Sequence, residues 1–181
     1  MLITGASRGI GAATAKRAAA AGYAVGVNYA RSKDTALEVV KDIEAMGGQA
    51  IAIPGDVRNP SDIEMMFTRT AEQLGPITAV FANAGITGPV SLLKDLSVED
   101  LQDVVQINVV GAFLTAQAAV KHMAKSAGGS GGTIVIMSSR AAQLGSGGEF
   151  IHYAASKGAM DTLTIGLAKE VAPEGIRVNA V

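Results

Sequence analysis

Cysteine is absent from the 181-residue chain, and so is tryptophan. The first absence excludes a disulfide framework, a thiolate nucleophile and any cysteine-based metal centre. Histidine is scarce as well. His122 and His152 stand apart, with no second or third ligand at metal spacing. Neither sign of charge dominates: 15 Lys and Arg against 16 Asp and Glu leave a net charge of −1. Without a basic block or an acidic tail, nothing supports a nucleic-acid or polybasic membrane role. The chain does not open with a basic, then apolar, then small-residue leader, and no apolar run is read as approaching membrane-spanning length. The expected location, by default, is the cytoplasm.

Glycine and small apolar residues are abundant. There are 22 glycines, and 49% of the chain is hydrophobic while only 4% is aromatic. That mixture suits an α/β domain with glycine-tight turns and alanine-packed helices, and the length suits a single domain. Short β-branched runs (residues 2–4, 24–28, 50–54, 79–82, 133–137 and 177–181) alternate with helical patterns (10–21, 32–46, 61–74, 97–126 and 153–172). This alternation predicts βαβ crossovers and a parallel sheet covered on both faces; the doubly wound (Rossmann) order 3-2-1-4-5-6 is expected only with a dinucleotide-binding reading of Thr4–Gly11. Ser61 and Ser97 are expected helix caps. Gly22, Gly47, Gly75 and Pro173 are expected helix stops.

The chemistry-bearing residues fall at the carboxyl ends of the predicted strands. Thr4-Gly-Ala-Ser-Arg-Gly-Ile-Gly11 joins the first strand to the first helix. Gly5, Gly9 and Gly11 permit a tight turn, and the helix start offers N–H groups and positive dipole to a pyrophosphate. Within this turn Ser7, Arg8 and Ile10 are also candidate cofactor contacts. The second strand ends Val27-Asn-Tyr-Ala-Arg31, with no carboxylate until Asp34 to bind ribose hydroxyls. Arg31 and Arg8 are instead placed to clasp a 2′-phosphate, so NADP is expected, with NAD as the lesser possibility. Asp56 and Val57 follow the third strand, with Asp56 as either an adenine acceptor or a loop cap. Asn83, Ala84 and Gly85 follow the fourth. Asn83 is positioned to knit backbone, and Gly85 to let the chain pass close to a ribose. Asn108 interrupts an apolar helical pattern, either as a satisfied core amide or as a break in the helix ladder that holds a water.

Tyr153-Ala-Ala-Ser-Lys157 opens the last helical pattern. A phenol and an ammonium four positions apart share a helix face, and the cation favours the phenolate, so the hydroxyl can give or take a proton near neutral pH. Ser138-Ser139 closes the fifth strand, again at its carboxyl end.

Taken together, Thr4–Gly11, Asn83-Ala-Gly85, Ser139 and Tyr153-xxx-Lys157, with Asn108 between them, resemble the short-chain dehydrogenase/reductase family. Within it the chain is similar to 3-oxoacyl-carrier-protein reductases and glucose-dehydrogenase-like members. The resemblance implies hydride transfer between NADP(H) and a carbonyl or secondary alcohol. It also implies Tyr153 as proton donor or acceptor, Lys157 holding the nicotinamide ribose, Ser139 bonding the substrate oxygen and Asn108 positioning a water. A homotetramer or dimer is implied, formed through the helices of 97–126 and 153–172. Ala82 departs from the family's usual asparagine. The end at Asn179-Ala-Val181, before the family's Pro-Gly turn, reads as a truncation that removes a seventh strand and the substrate-loop segment. The alternative reading is a non-catalytic dinucleotide-binding module.

Overall fold

A computed structural model describes residues 1–181. Six parallel strands form one sheet: β1 (Leu2–Ile3), β2 (Val25–Tyr29), β3 (Ala50–Pro54), β4 (Ala79–Ala82), β5 (Gly132–Ile136) and β6 (Ile176–Ala180). Their order is β3-β2-β1-β4-β5-β6, as expected for a doubly wound dinucleotide-binding sheet. The order reverses between β1 and its two neighbours, Leu2 lying opposite Gly26 on one side and Val80 on the other. This switch point is where open parallel sheets leave a crevice at the carboxyl ends of their strands.

The helices are α1 (Gly9–Ala20), α2 (Lys33–Ala45), α3 (Pro60–Leu74), α4 (Val98–Val105), α5 (Gly111–Met123), the short α6 (Ala141–Leu144) and α7 (Ile151–Val171). Successive strand residues point to opposite faces, so β1 feeds two cores. Leu2 joins Ile63, Phe67, Met123 and Met160 on the side of α3, α5 and α7. Ile3 joins Ala15, Ala36, Val39 and Ile43 under α1 and α2. Coverage of both faces does not extend to the last strand. In β6, Ile176 and Val178 are buried while Arg177 and Asn179 are exposed.

Helix ends follow local chemistry, with one correction. Ser97 caps α4 as expected, its hydroxyl oxygen accepting the Asp100 N–H at 3.0 Å. Ser61 does not cap α3. Asn59 does, accepting the Ser61 N–H at 3.1 Å, because Pro60 takes the first helical position and moves the cap two residues back. Gly22, Gly47 and Gly75 stop their helices at positive φ, and α7 gives way to a 3-10 turn at Ala172–Glu174 that contains Pro173. The 97–126 pattern is not one uniform helix. Between α4 and α5, Gln106–Val110 forms a π-turn in which the Gly111 N–H bonds Gln106 O. By length and composition this 26-residue stretch, which holds an 18-residue window with a mean hydropathy of 1.3, does reach what a membrane span needs, contrary to the sequence expectation. Its apolar character serves the core instead: Val104, Ala112, Ala116, Ala119 and Met123 are buried in the fold.

Candidate active site

The site is built from the ends of β1, β4 and β5 and the first turns of α1 and α7. At the end of β1 the chain turns sharply through Gly5, whose φ is +62°. A β-carbon there would lie 2.9 Å from Ala84 Cα, so the glycine turn and the post-β4 loop touch backbone to backbone. Gly11 is required for a different reason: a β-carbon would stand 2.6 Å from both Asn83 Nδ2 and Gly5 O. The contact is locked by polar groups. Thr4 Oγ1 accepts the N–H groups of Asn83 (3.0 Å) and Ala84 (3.1 Å), and Asn83 Nδ2 donates to Thr4 O (2.9 Å) and Gly5 O (3.1 Å). Asn83 therefore knits backbone, as its position suggested.

The amides of the glycine turn divide sharply. The Gly5 N–H donates to Asn28 Oδ1 at 3.0 Å and the Ala6 N–H to Asn28 O at 2.7 Å. The next five, from Ser7 to Gly11, have no protein acceptor. They converge at the N-terminus of a 12-residue helix, where partial positive charge accumulates. This arrangement fits a pyrophosphate, and hence a dinucleotide. Arg8, within the turn, and Arg31, two residues past β2, are both exposed, and neither forms an ion pair. Asp56 is committed to its own loop, accepting from Arg58 Nε, NH2 and backbone N–H. The hydrogen-bonded Arg58 guanidinium holds the Asp56 carboxyl below the usual carboxylate range, against the effect of burial, with a smaller contribution from the charge of Arg31. Val57 is buried beneath this loop.

On the far side, Gly85 passes so near α7 that a β-carbon would lie 3.1 Å from Asn108 Oδ1 and 3.6 Å from Lys157 Nζ. The segment Asn83-Ala84-Gly85 thus joins the glycine turn to the lysine. Asn108 is 1% exposed and sits in the π-turn, and its amide is satisfied by protein partners, as the first of its two sequence alternatives has it. Oδ1 accepts the Ile86 N–H at 2.8 Å, while Nδ2 donates to Ile86 O at 2.8 Å and to Ser156 Oγ at 3.0 Å. Ser156 in turn donates to Tyr153 O at 2.7 Å, which ties this clasp to the first turn of α7.

Lys157 is 3% exposed, and its ammonium donates to Met137 O at 2.7 Å, just past the end of β5. It also stands 5.6 Å from the centre of the Tyr153 ring. Phenol and ammonium therefore share a face of α7, as their spacing predicts. Burial lowers the Lys157 pKa from 10.5 to about 8. The two serines after β5 differ. Ser138 is buried and donates to the Asp161 carboxylate, whereas Ser139 is half-buried and its oxygen accepts only the Ala141 N–H, at 3.2 Å. The Ser139 hydroxyl proton is free to donate.

A model of the family described as short chain dehydrogenase matches residues 1–181. The chain belongs to that family. It is 47% identical over 180 residues to the "Uncharacterized oxidoreductase YgfF" of Escherichia coli K12, covering 99% of this chain and 73% of that protein. It is 41% identical to the 3-oxoacyl-[acyl-carrier-protein] reductase of Synechocystis, covering 99% of this chain and 71% of that enzyme. Among solved structures, a short chain dehydrogenase from Burkholderia cenocepacia J2315 in complex with NADP superposes with a TM-score of 0.91. It is 40% identical, and the match covers 99% of this chain and 71% of that one.

Two residues of this short-chain dehydrogenase that shape the site were not singled out from its sequence. Thr4 was read as part of the glycine turn without a role of its own, and Asn28 as part of an apolar strand. A polar side chain inside an otherwise apolar strand was the available signal, since a buried amide needs partners. His152 precedes Tyr153 in the first turn of α7. It is buried against Gly88, whose absent β-carbon would lie 2.6 Å from Nε2.

Proposed function

We propose that this chain, as one dinucleotide-binding and catalytic unit, is an NADP(H)-dependent oxidoreductase that interconverts a carbonyl and a secondary alcohol. The observation that carries the proposal is the buried Lys157 ammonium beside the Tyr153 ring, joined through Asn83-Ala84-Gly85 to a turn with five free amides. The amides of Ser7, Arg8, Gly9, Ile10 and Gly11 hold the pyrophosphate. Arg8 and Arg31 hold the 2′-phosphate, and Asp56 and Val57 border the adenine. Bound NADP(H) supplies or accepts the hydride.

The protein's own part is the proton. Tyr153 delivers it to the substrate oxygen in reduction and removes it in oxidation. The Lys157 charge stabilises the negative charge that develops on the phenol oxygen when the proton leaves. Ser139 donates its free hydroxyl to the same substrate oxygen. Ser138, already bonded to Asp161, is not available for that role. Asn108, by clasping Ile86, fixes the loop that confines Lys157, and the π-turn around it supports a water on the path from Lys157 to solvent.

A second copy of this chain is the proposed partner. Between α5 and α7 runs a groove of ≈ 870 Å³ lined by Val109, Phe113, Val120, Leu163 and Leu167. Phe113 on α5 and Ile165 on α7 are 49% and 60% exposed, an apolar surface that a dimer or tetramer would cover. Sedimentation showing only monomer at micromolar concentration would contradict this. The proposed location is the cytoplasm, where NADPH is available. The function itself is tested by NADPH oxidation against β-ketoacyl thioesters, simple ketones and sugar lactones. Turnover of one class with NADPH preferred over NADH supports the reading. NADPH binding without turnover of any class would favour a binding module.

A further inference from the structure

Asn28 is 1% exposed and lies in β2, separated by β1 and β4 from the strand that carries the proton-transfer side. Both polar atoms of its side chain are used, and the two reach different segments. Oδ1 accepts the Gly5 N–H at 3.0 Å at the entrance to the glycine turn. Nδ2 donates to Ile53 O at 3.2 Å and to Gly55 O at 3.0 Å, where β3 runs into the Asp56 loop. Its main-chain oxygen takes the Ala6 N–H at 2.7 Å. One residue therefore consumes the first two amides of the turn and anchors the loop across the crevice. The five amides that follow remain free.

We infer that Asn28 is a positioning residue for the adenosine half of the cofactor. It orders the glycine turn before any ligand arrives, restricts the phosphate donors to Ser7–Gly11, and fixes the gap between that turn and the Asp56 loop. The physical argument is that a turn already bonded in its bound geometry is not ordered at the expense of binding energy. A leucine in place of Asn28 fills similar volume but takes the side-chain partner away from the Gly5 N–H and from the buried Gly55 carbonyl. The turn and the loop then relax independently. The inference rests on the cofactor reading above, and it makes no claim on the nicotinamide half.

The test compares ligands that share only part of the cofactor. In Asn28→Leu and Asn28→Ala, the Kd values for NADPH and for 2′,5′-ADP should rise together by about tenfold or more. The affinity for reduced nicotinamide mononucleotide, which lacks the adenosine half, should stay within about twofold of wild type, inside the tenfold that 1.4 kcal/mol represents. A general loss of structure would weaken all three alike and would overturn the assignment, as would unchanged binding of 2′,5′-ADP. If neither variant folds, residue-resolved amide exchange on the wild-type protein decides. Without ligand, the Gly5 and Ala6 amides should be protected and those of Ser7–Gly11 should exchange fast; NADPH should then slow only the second group. Gly5 and Ala6 amides that exchange freely until NADPH is added would overturn the inference. Wild-type protein that binds neither NADPH nor 2′,5′-ADP would instead bring down the cofactor reading beneath it.

Discussion

The two halves of the crevice are built by opposite means. The half at β1, β2 and α1 presents backbone to its ligand, and its side chains turn inward. Thr4, Asn28 and Asn83 direct their polar atoms at neighbouring main chain and leave a row of amides facing out. The half at β5 and α7 presents side chains. Tyr153, Lys157 and Ser139 keep unused donors, and Lys157 is held where burial disfavours its charge. Backbone amides carry a fixed dipole that needs no tuning, which suits a ligand of fixed charge. Proton transfer needs groups whose charge changes during the reaction, and their environment has to be built around that change. Turnover should therefore be most sensitive to side-chain changes in the proton-transfer half, whereas in the cofactor half binding should be most sensitive to the backbone and to the side chains that anchor it or carry charge.

The largest effect that would break this contrast is at Lys157. Lys157→Met should reduce turnover by about 10²–10³-fold, the usual range for a group stabilising developing charge. It should also carry a signature in stability. In the fold the buried amine releases its proton near pH 8, whereas an unfolded lysine holds it to 10.5. Between those values the unfolded chain binds more protons, so stability rises with pH; the cost of burying the charge is fully present below pH 8. Over that window wild type should gain on the order of 3 kcal/mol relative to Lys157→Met in denaturant titrations. Equal pH dependence of the two proteins would contradict a buried charge.

A backbone change comes next. Gly11→Ala forces a β-carbon to 2.6 Å from Asn83 Nδ2 and Gly5 O, and should destabilise the fold by about 1–3 kcal/mol as overpacking does. NADPH affinity should fall with it, read by fluorescence titration, because the same displacement moves the free amides.

The smallest expected change sharpens the cofactor half alone. Arg31→Ala should weaken NADPH binding by about tenfold, the loss of one charge-assisted contact, while NADH binding stays unchanged. The check is the ratio of the two Kd values. Equal weakening of both would place Arg31 away from the 2′-phosphate.

The architecture was legible because period and punctuation agree along the chain. Short apolar runs, glycine stops and Pro173 put every major element within a few residues of its observed bounds, whereas the strand order came with the dinucleotide-binding reading rather than from local pattern. Local capping was less legible. Ser61 and Asn59 are both good caps, and only the position of Pro60 decides between them. The pairing of Tyr153 with Lys157 could be read from spacing, since a helix fixes it. The roles of Thr4 and Asn28 could not, because their partners lie on other strands and only the register brings them together. The choice between Ser138 and Ser139 likewise depends on Asp161, a residue 23 positions away that the strand-to-helix packing delivers.

The measurement that bears most directly on the division of labour is a paired one on Tyr153→Phe: NADPH affinity by fluorescence titration, and turnover of whichever carbonyl wild type reduces. Removing one hydroxyl from a half-buried ring should leave the Kd for NADPH within about twofold, a change of less than 1 kcal/mol, while turnover falls by about 10²–10⁴-fold. Undiminished turnover, or loss of NADPH binding in step with turnover, would contradict the account.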